Sequence, residues 1–430
     1  MDLAMEQKNQ ISLIKAILMG MNIMVGAAIL AAPQIITVAA GDMGIFAWGI
    51  ALVFLPIVLS IMRLTQLMVN NGGIYVYAQE TLGRPIGFIS ASLYYFGYTF
   101  AATAVISLLR VLLLTAFPGV YIIQNLYIYF ALVVGLIATL NLISRPVMDK
   151  ITFPAIFLKF SPLIIAILAF PFTAGHDFIF DLNQLQNLPS ALPTAIFGFL
   201  GFEYSLALNR DLENKEVNGP RAVVGTFLAT TTLYLLFHYG LLYMMGSQNL
   251  AALGATGFPG FLPIGSIAIK AAIVGLVGIA IKLAYLSSAN GMAFGNVATL
   301  YGLAKDKLMR GGEFLTVTNQ YERPLFAGLF QFIMIFAFGT LVPNVLALAS
   351  LTNLAVLIVF ALLIISLCVI LKKNGALIDK IIAILGLGST SGLIGYSFIS
   401  LGATWSARFQ SVMPLAGCVL LSMLAYQPKK

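Results

Sequence analysis

Asn22-Ile23-Met24-Val25-Gly26-Ala27-Ala28-Ile29-Leu30-Ala31-Ala32-Pro33 lies in the middle of the first apolar segment of the chain. A membrane segment is expected to be an unbroken helix, because in lipid every backbone N–H and C=O needs a partner. This one carries Gly26, small residues and then Pro33. Glycine eases unwinding, and proline fits best in the first turn of a helix. The reading is two half-helices, over 12–25 and 30–40, with exposed backbone between them. Irregular backbone at membrane depth persists where it lines a cavity or is buried in protein. The break over Val25, Gly26, Ala27, Ala28 and Ile29 therefore predicts a substrate site near the bilayer midplane.

Composition agrees. Of 430 residues, 60% are hydrophobic and 9% charged, against about 25% charged in a soluble domain. This is an all-α polytopic membrane protein in contact with lipid. The net charge of +8 sits in short loops between apolar spans, which reads as topology and not as a nucleic-acid surface. Cys368 and Cys418 fall inside apolar runs, so no disulfide-linked partner is expected. No metal-ligand spacing occurs and no cofactor is implied. The first segment has no cleavage site after a short apolar core and reads as a membrane helix, not a signal peptide.

Segments of about 20 apolar residues can span the bilayer. Twelve are read: 12–40, 43–69, 86–116, 122–143, 151–172, 191–209, 220–246, 262–303, 324–342, 344–371, 377–401 and 405–426. The segment 262–303 is too long for one straight span, so it bends at Gly291 and Gly295 or runs on past the membrane. With the N-terminus inside, the inner loops hold Arg84, Arg145, Lys150, Arg210, Lys215, Arg221, Lys305, Lys307, Arg310, Arg323, Lys372, Lys373 and Lys380, and the tail ends in Lys429 and Lys430. The outer loops hold Asp42, His176, Asp177 and Asp181, with the basic Arg408 near the outer ends. This Lys/Arg bias puts both termini in the cytoplasm, with the protein in the cytoplasmic (inner) membrane.

Segment six repeats the pattern of segment one. Phe197-Gly198-Phe199-Leu200-Gly201-Phe202-Glu203 has two glycines in mid-span, followed by an ionisable residue. Spans one to five and six to ten then form two repeats with an odd number of crossings each, hence inverted. The expected division is 1–172, 173–371 and a third part, 372–430, with spans eleven and twelve. Glycine-interrupted helices at matching positions of inverted halves are the sequence pointer to a transporter site. Glycines that serve only close helix packing are the alternative.

Two embedded charges stand out. Lys159 lies nine residues into span five. A lysine at that depth is functional by default, although its stem is long enough to snorkel. Glu203 follows the second break; it is either a proton-sensing group or a structural carboxylate bonded to exposed backbone N–H groups. Arg110 sits near the outer end of span three, Lys270 at an interface, and Lys282 midway along span eight without an assigned role. Arg63 points to the inner surface. Tyr94, Tyr95 and Phe294 either wall a pathway or pack.

Four blocks in order carry a family resemblance. They are Val25-Gly26-Ala27-Ala28-Ile29-Leu30-Ala31-Ala32-Pro33; Gly72-Gly73-Ile74-Tyr75-Val76-Tyr77 with Leu82-Gly83-Arg84-Pro85-Ile86-Gly87-Phe88; Gly201-Phe202-Glu203 with Asn218-Gly219-Pro220-Arg221-Ala222; and Ser287-Ser288-Ala289-Asn290-Gly291 with Tyr301-Gly302-Leu303-Ala304-Lys305-Asp306 and Arg323-Pro324. The chain resembles the amino acid–polyamine–organocation permeases, whose fold is a five-plus-five inverted repeat with discontinuous helices one and six. Ala28 replaces the family's second glycine, and Leu30 its usual phenylalanine. The resemblance implies an amino acid carboxylate near Gly26, Ala27 and Ala28, and the amine and side chain near Phe199, Gly201 and Phe202. It also implies that Lys159 takes the place of a coupling cation, with Ser287 and Ser288 of span eight as partners. A glutamate at the position of Glu203 is associated with proton sensing or gating in some members.

The function expected is secondary transport of an amino acid by alternating access, proton-coupled and sodium-independent. The small, apolar break favours a neutral amino acid. Amino acid/amine exchange, polyamine transport and a non-transporting amino acid sensor are the alternatives. A channel would show a filter loop or charged ring, which is not found. An enzyme would need a nucleophile or acid–base pair, and His176 and His238 are far apart in sequence.

Overall fold

The computed structural model describes residues 11–68, 74–143, 145–204, 212–342 and 344–428. Segment 205–209 of span six, Lys8, Gly72, Gly73, Arg210, Lys429 and Lys430 lie outside these. The described residues are helical almost throughout, with three isolated bridges and no strand. Seven helices are long and apolar enough to cross a membrane, and five shorter apolar helices accompany them.

The first span is two helices, α1 (Leu13–Met24) and α2 (Ala27–Ala40). After a 3-10 segment come α3 (Ile50–Leu67), the short α4 (Tyr75–Leu82) and α5 (Arg84–Ala116). Next are α6 (Leu126–Leu142), α7 (Arg145–Ala169) and α8 (Leu188–Phe199). The second half continues with α9 (Lys215–Leu253), α10 (Ile267–Lys305), α11 (Leu325–Leu341) and α12 (Val345–Asn374). Last come α13 (Leu377–Ile399) and α14 (Trp405–Leu424).

Local sequence sets several helix starts. Asn125, Ser266, Asn344 and Thr404 each accept a hydrogen bond from a backbone N–H in the first turn of α6, α10, α12 and α14, meeting donors that no helix satisfies internally. Pro33 is an exception to the sequence expectation. The second half-helix begins at Ala27, not at residue 30, so Pro33 lies inside α2. Proline is tolerated inside a membrane helix where neighbouring elements meet the freed backbone group, and α2 packs against α8 and α9. Segment 262–303 is also simpler than a bent helix. α10 runs unbroken through Gly291 and Gly295 to Lys305. The kink falls instead in α9, at Gly246, where φ is +71°.

Polar contacts fasten the two ends of the bundle. At the basic end, Arg63 pairs with Asp379 at 2.8 Å and Tyr75 donates to Asp306 at 2.8 Å. Burial and that carboxylate hold the Tyr75 phenol well above its usual range. At the other end, Ile179 N–H donates to Asp42 at 2.9 Å, and Lys270 donates to Gly260 O at 2.8 Å. Arg110 donates to the carbonyls of Ile123 and Gln124, pinning the turn before α6. The core between these ends is one continuous apolar cluster in which the buried faces of α2, α3, α5, α8, α9 and α12 meet.

Candidate functional site

At the first break the chain leaves helical geometry for two residues. Val25 N–H donates to Met21 O at 2.6 Å, and Gly26 N–H to Met24 O at 2.7 Å. Gly26 is extended, with φ −112° and ψ −156°. The N–H groups of Ala27, Ala28 and Ile29 open α2 and by helix geometry have no acceptor within it. They form the positive end of its dipole, suited to a carboxylate. The side chains of Val25 and Ile29 are fully buried.

At the second break α8 stops at Phe199, Leu200 turns to ψ 146°, and Gly201 sits at φ +109°. That conformation needs glycine. Glu203, buried just beyond, folds back over the break: its Oε2 accepts from Gly201 N–H at 2.9 Å. Its Oε1 accepts from the Tyr98 hydroxyl and, at 3.4 Å, from Tyr94. The two tyrosines are one helical turn apart on α5, so one face of that helix presents both phenols.

A residue of α9 joins the two breaks. The Tyr234 hydroxyl lies 2.8 Å from Met24 O, at the end of α1, and 3.0 Å from Gly198 O, near the end of α8. A phenol has one proton, so the two carbonyls share it. Gly198 lets the rings close in: a Cβ there would lie 3.2 Å from the Trp48 ring and 3.4 Å from Tyr234.

Lys159 reaches the same region from α7. Its ammonium donates to the backbone carbonyl of Asn22, in the last turn of α1, and to Asn22 Oδ1 at 3.1 Å. The residue is 2% exposed, so it is docked and does not snorkel out. A cation at the carboxyl end of a helix meets the negative end of the dipole. Ser288 donates to Ala284 O of its own helix at 2.8 Å, and Ser287 is half-buried. No hydrogen bond joins either serine to Lys159 among the described residues. Lys282 donates to Gly278 O of its own helix, not to Glu203.

The phenylalanines near the second break face inward. Phe199 packs among Trp48, Phe54, Phe227 and Tyr234. Phe202 packs against Phe227 and Phe360. What this stretch presents at the break is backbone. Beside the cluster, the Trp48 indole N–H donates to His238 Nδ1 at 2.9 Å, and Thr37 Oγ1 lies 3.0 Å from Nε2. An indole N–H can only donate, so Nδ1 accepts and Nε2 carries the ring proton toward Thr37.

Sequence reading did not single out Asn22, Tyr98 or Tyr234. Tyr98 could have been found from Tyr94, four residues earlier in a helical segment. Asn22 stands beside the first break in sequence, but its contact with Lys159 and that of Tyr234 with Met24 cross about 140 and 210 positions.

The ends of α1 and α8 are thus joined by a phenol and flanked by a buried lysine and a buried glutamate. The model of the amino acid permease family matches residues 11–424, and the chain belongs to that family. It is 25% identical over 345 residues to the serine/threonine exchanger SteT of Bacillus subtilis (strain 168), covering 75% of each chain. The crystal structure of a histidine-to-alanine mutant of the Eremococcus coleocola manganese transporter aligns with a TM-score of 0.54 at 15% identity, covering 94% of this chain and 92% of that one. That likeness speaks for the fold alone.

Proposed function

We propose that the protein moves a small neutral amino acid across the cytoplasmic membrane by alternating access, with both termini inside and with two inverted five-span repeats built around helices one and six. The observation that carries this reading is the meeting of the two breaks at Tyr234. The opening N–H groups of α2 suit the substrate carboxylate, and the carbonyls ending α1 and α8 suit its ammonium. A zwitterion then needs no charged side chain. Lys159 is the coupling group: it holds the carboxyl end of α1 while protonated and releases it on losing the proton, without sodium. Glu203 clasps the second break. Uptake of radiolabelled serine, threonine and alanine into proteoliposomes tests the reading. Accumulation driven by an inward proton gradient without sodium supports it, and no uptake of any neutral amino acid under either gradient overturns it.

Exchange is the second reading, favoured by the likeness to a serine/threonine exchanger. Strict dependence of uptake on preloaded internal substrate would establish it in place of net symport.

A further inference from the structure

A cavity lies apart from the breaks. It has a volume of about 470 Å³ and opens among α5, α10, α11, α14 and the loop after α10. None of its lining residues belongs to either break. From Phe88 to Phe96 on its α5 wall, eight residues rise about 12 Å.

Its chemistry does not suit an amino acid. The wall is apolar almost throughout. Two lining hydroxyls are used by their own helices, Ser92 donating to Phe88 O at 2.9 Å and Ser422 to Val419 O at 2.7 Å. Tyr95 supplies one buried hydroxyl without a partner among the described residues, too little for a carboxylate and an ammonium together. The only charged lining residue is Arg310, exposed at the rim. No carboxylate bonds its side chain among the described residues. Lys305, the last residue of α10, and Lys307 are exposed beside it, as are Asp306, which accepts from Tyr75, and Glu313, so the rim keeps a small net positive charge.

An apolar slot with a cationic rim matches an anionic amphiphile. Basic pockets between membrane helices at the loop side hold anionic headgroups, and an apolar cavity of this size is in the range of small-molecule sites. The end of the chain shapes the rim: Arg310 N–H donates to Ala425 O at 2.6 Å, Gln427 N–H to Leu308 O at 2.9 Å, and the Tyr426 ring packs on Phe88. We infer that this cavity takes an acyl chain of an anionic phospholipid from the adjoining leaflet, with the headgroup on Arg310. The same ligand steadies α5, which on a neighbouring face carries Tyr94 and Tyr98 against Glu203.

The test is thermal unfolding of the delipidated full-length protein, titrated with phosphatidylglycerol or phosphatidylcholine of identical chains. Phosphatidylglycerol is expected to raise Tm saturably, as a ligand selective for the folded state must, and phosphatidylcholine is not. Arg310→Gln is expected to reduce the phosphatidylglycerol response to that of phosphatidylcholine. Lys372→Gln, a basic residue near the end of α12 that does not line the cavity, is expected to keep the full response. Cys418→Phe fills the cavity and is expected to abolish it, with Ser422→Leu serving if that variant does not fold. Glycerol phosphate, a headgroup without chains, is expected to give no shift. An equal response to the two lipids, or a full response in Arg310→Gln or in the cavity-filled variant, overturns the proposal. The readout is binding, so it holds whether or not the transport reading does.

Discussion

The Tyr234 hydroxyl lies 2.8 Å from the carbonyl of Met24, the last residue before the first break, and the same oxygen lies 3.0 Å from Gly198 O at the second. One side chain of α9 thus ties the end of α1 to the end of α8. Any motion that swings α1 away from α8 must separate at least one of these contacts.

Tyr234→Phe keeps the ring and its contacts with Trp48 and Phe199 and removes only the hydroxyl. The buried carbonyls of Met24 and Gly198 lose a donor, which costs about 1–3 kcal/mol. Thermal stability is expected to fall by that order. If the carbonyls at the ends of α1 and α8 serve the ammonium as proposed, uptake is expected to fall with a raised KM, because Tyr234 no longer holds them in place. A wild-type KM in this variant would detach Tyr234 from the site.

Lys159→Ala is expected to abolish uptake driven by a pH gradient while leaving membrane insertion intact. The variant removes the cation from the end of α1 and frees the carbonyl of Asn22. Lys159→Arg separates charge from titration, since a guanidinium does not lose its proton. It is expected to keep binding and lose proton dependence. Proton-driven uptake at full rate in Lys159→Ala would remove the coupling role.

Glu203→Gln replaces a carboxylate that accepts from Gly201 N–H and from two phenols. An amide retains one acceptor oxygen for the break but turns a donor toward Tyr98 or Gly201. The expected outcome is a loss of about 1–3 kcal/mol in stability with an unchanged pH–rate profile. A shifted profile would assign the proton to Glu203 rather than to Lys159.

The sequence made the two breaks legible because each carries its own local mark, Gly26 in one and Gly198 with Gly201 in the other. Lys159 was legible through the cost of a charge at depth. The extent of the first break was not, since Pro33 reads locally as a helix start yet sits inside α2. Tyr234 was invisible for a different reason. A phenol in an apolar helix reads as packing, and only the tertiary arrangement puts its oxygen between residues 24 and 198. The aromatic setting of Phe199 and Phe202 was hidden likewise, because an apolar residue next to a break carries no sign of which way it faces.

The two central glycines should differ in what they tolerate. Gly26 is extended, at φ −112° and ψ −156°, within reach of any L-residue backbone. Gly201 is at φ +109°, where a Cβ is strained by about 1–3 kcal/mol. Its N–H must also keep its aim at Glu203 Oε2. Gly201→Ala is therefore expected to lower Tm by the equivalent of that strain and to loosen the Glu203 clasp. Gly26→Ala is expected to spare the backbone at its break, so that any loss of uptake appears with near-normal stability. Comparing Tm and uptake for the pair separates backbone strain from substrate space. Equal destabilisation by the two alanines would show that Gly26, too, is held by a conformation that only glycine adopts.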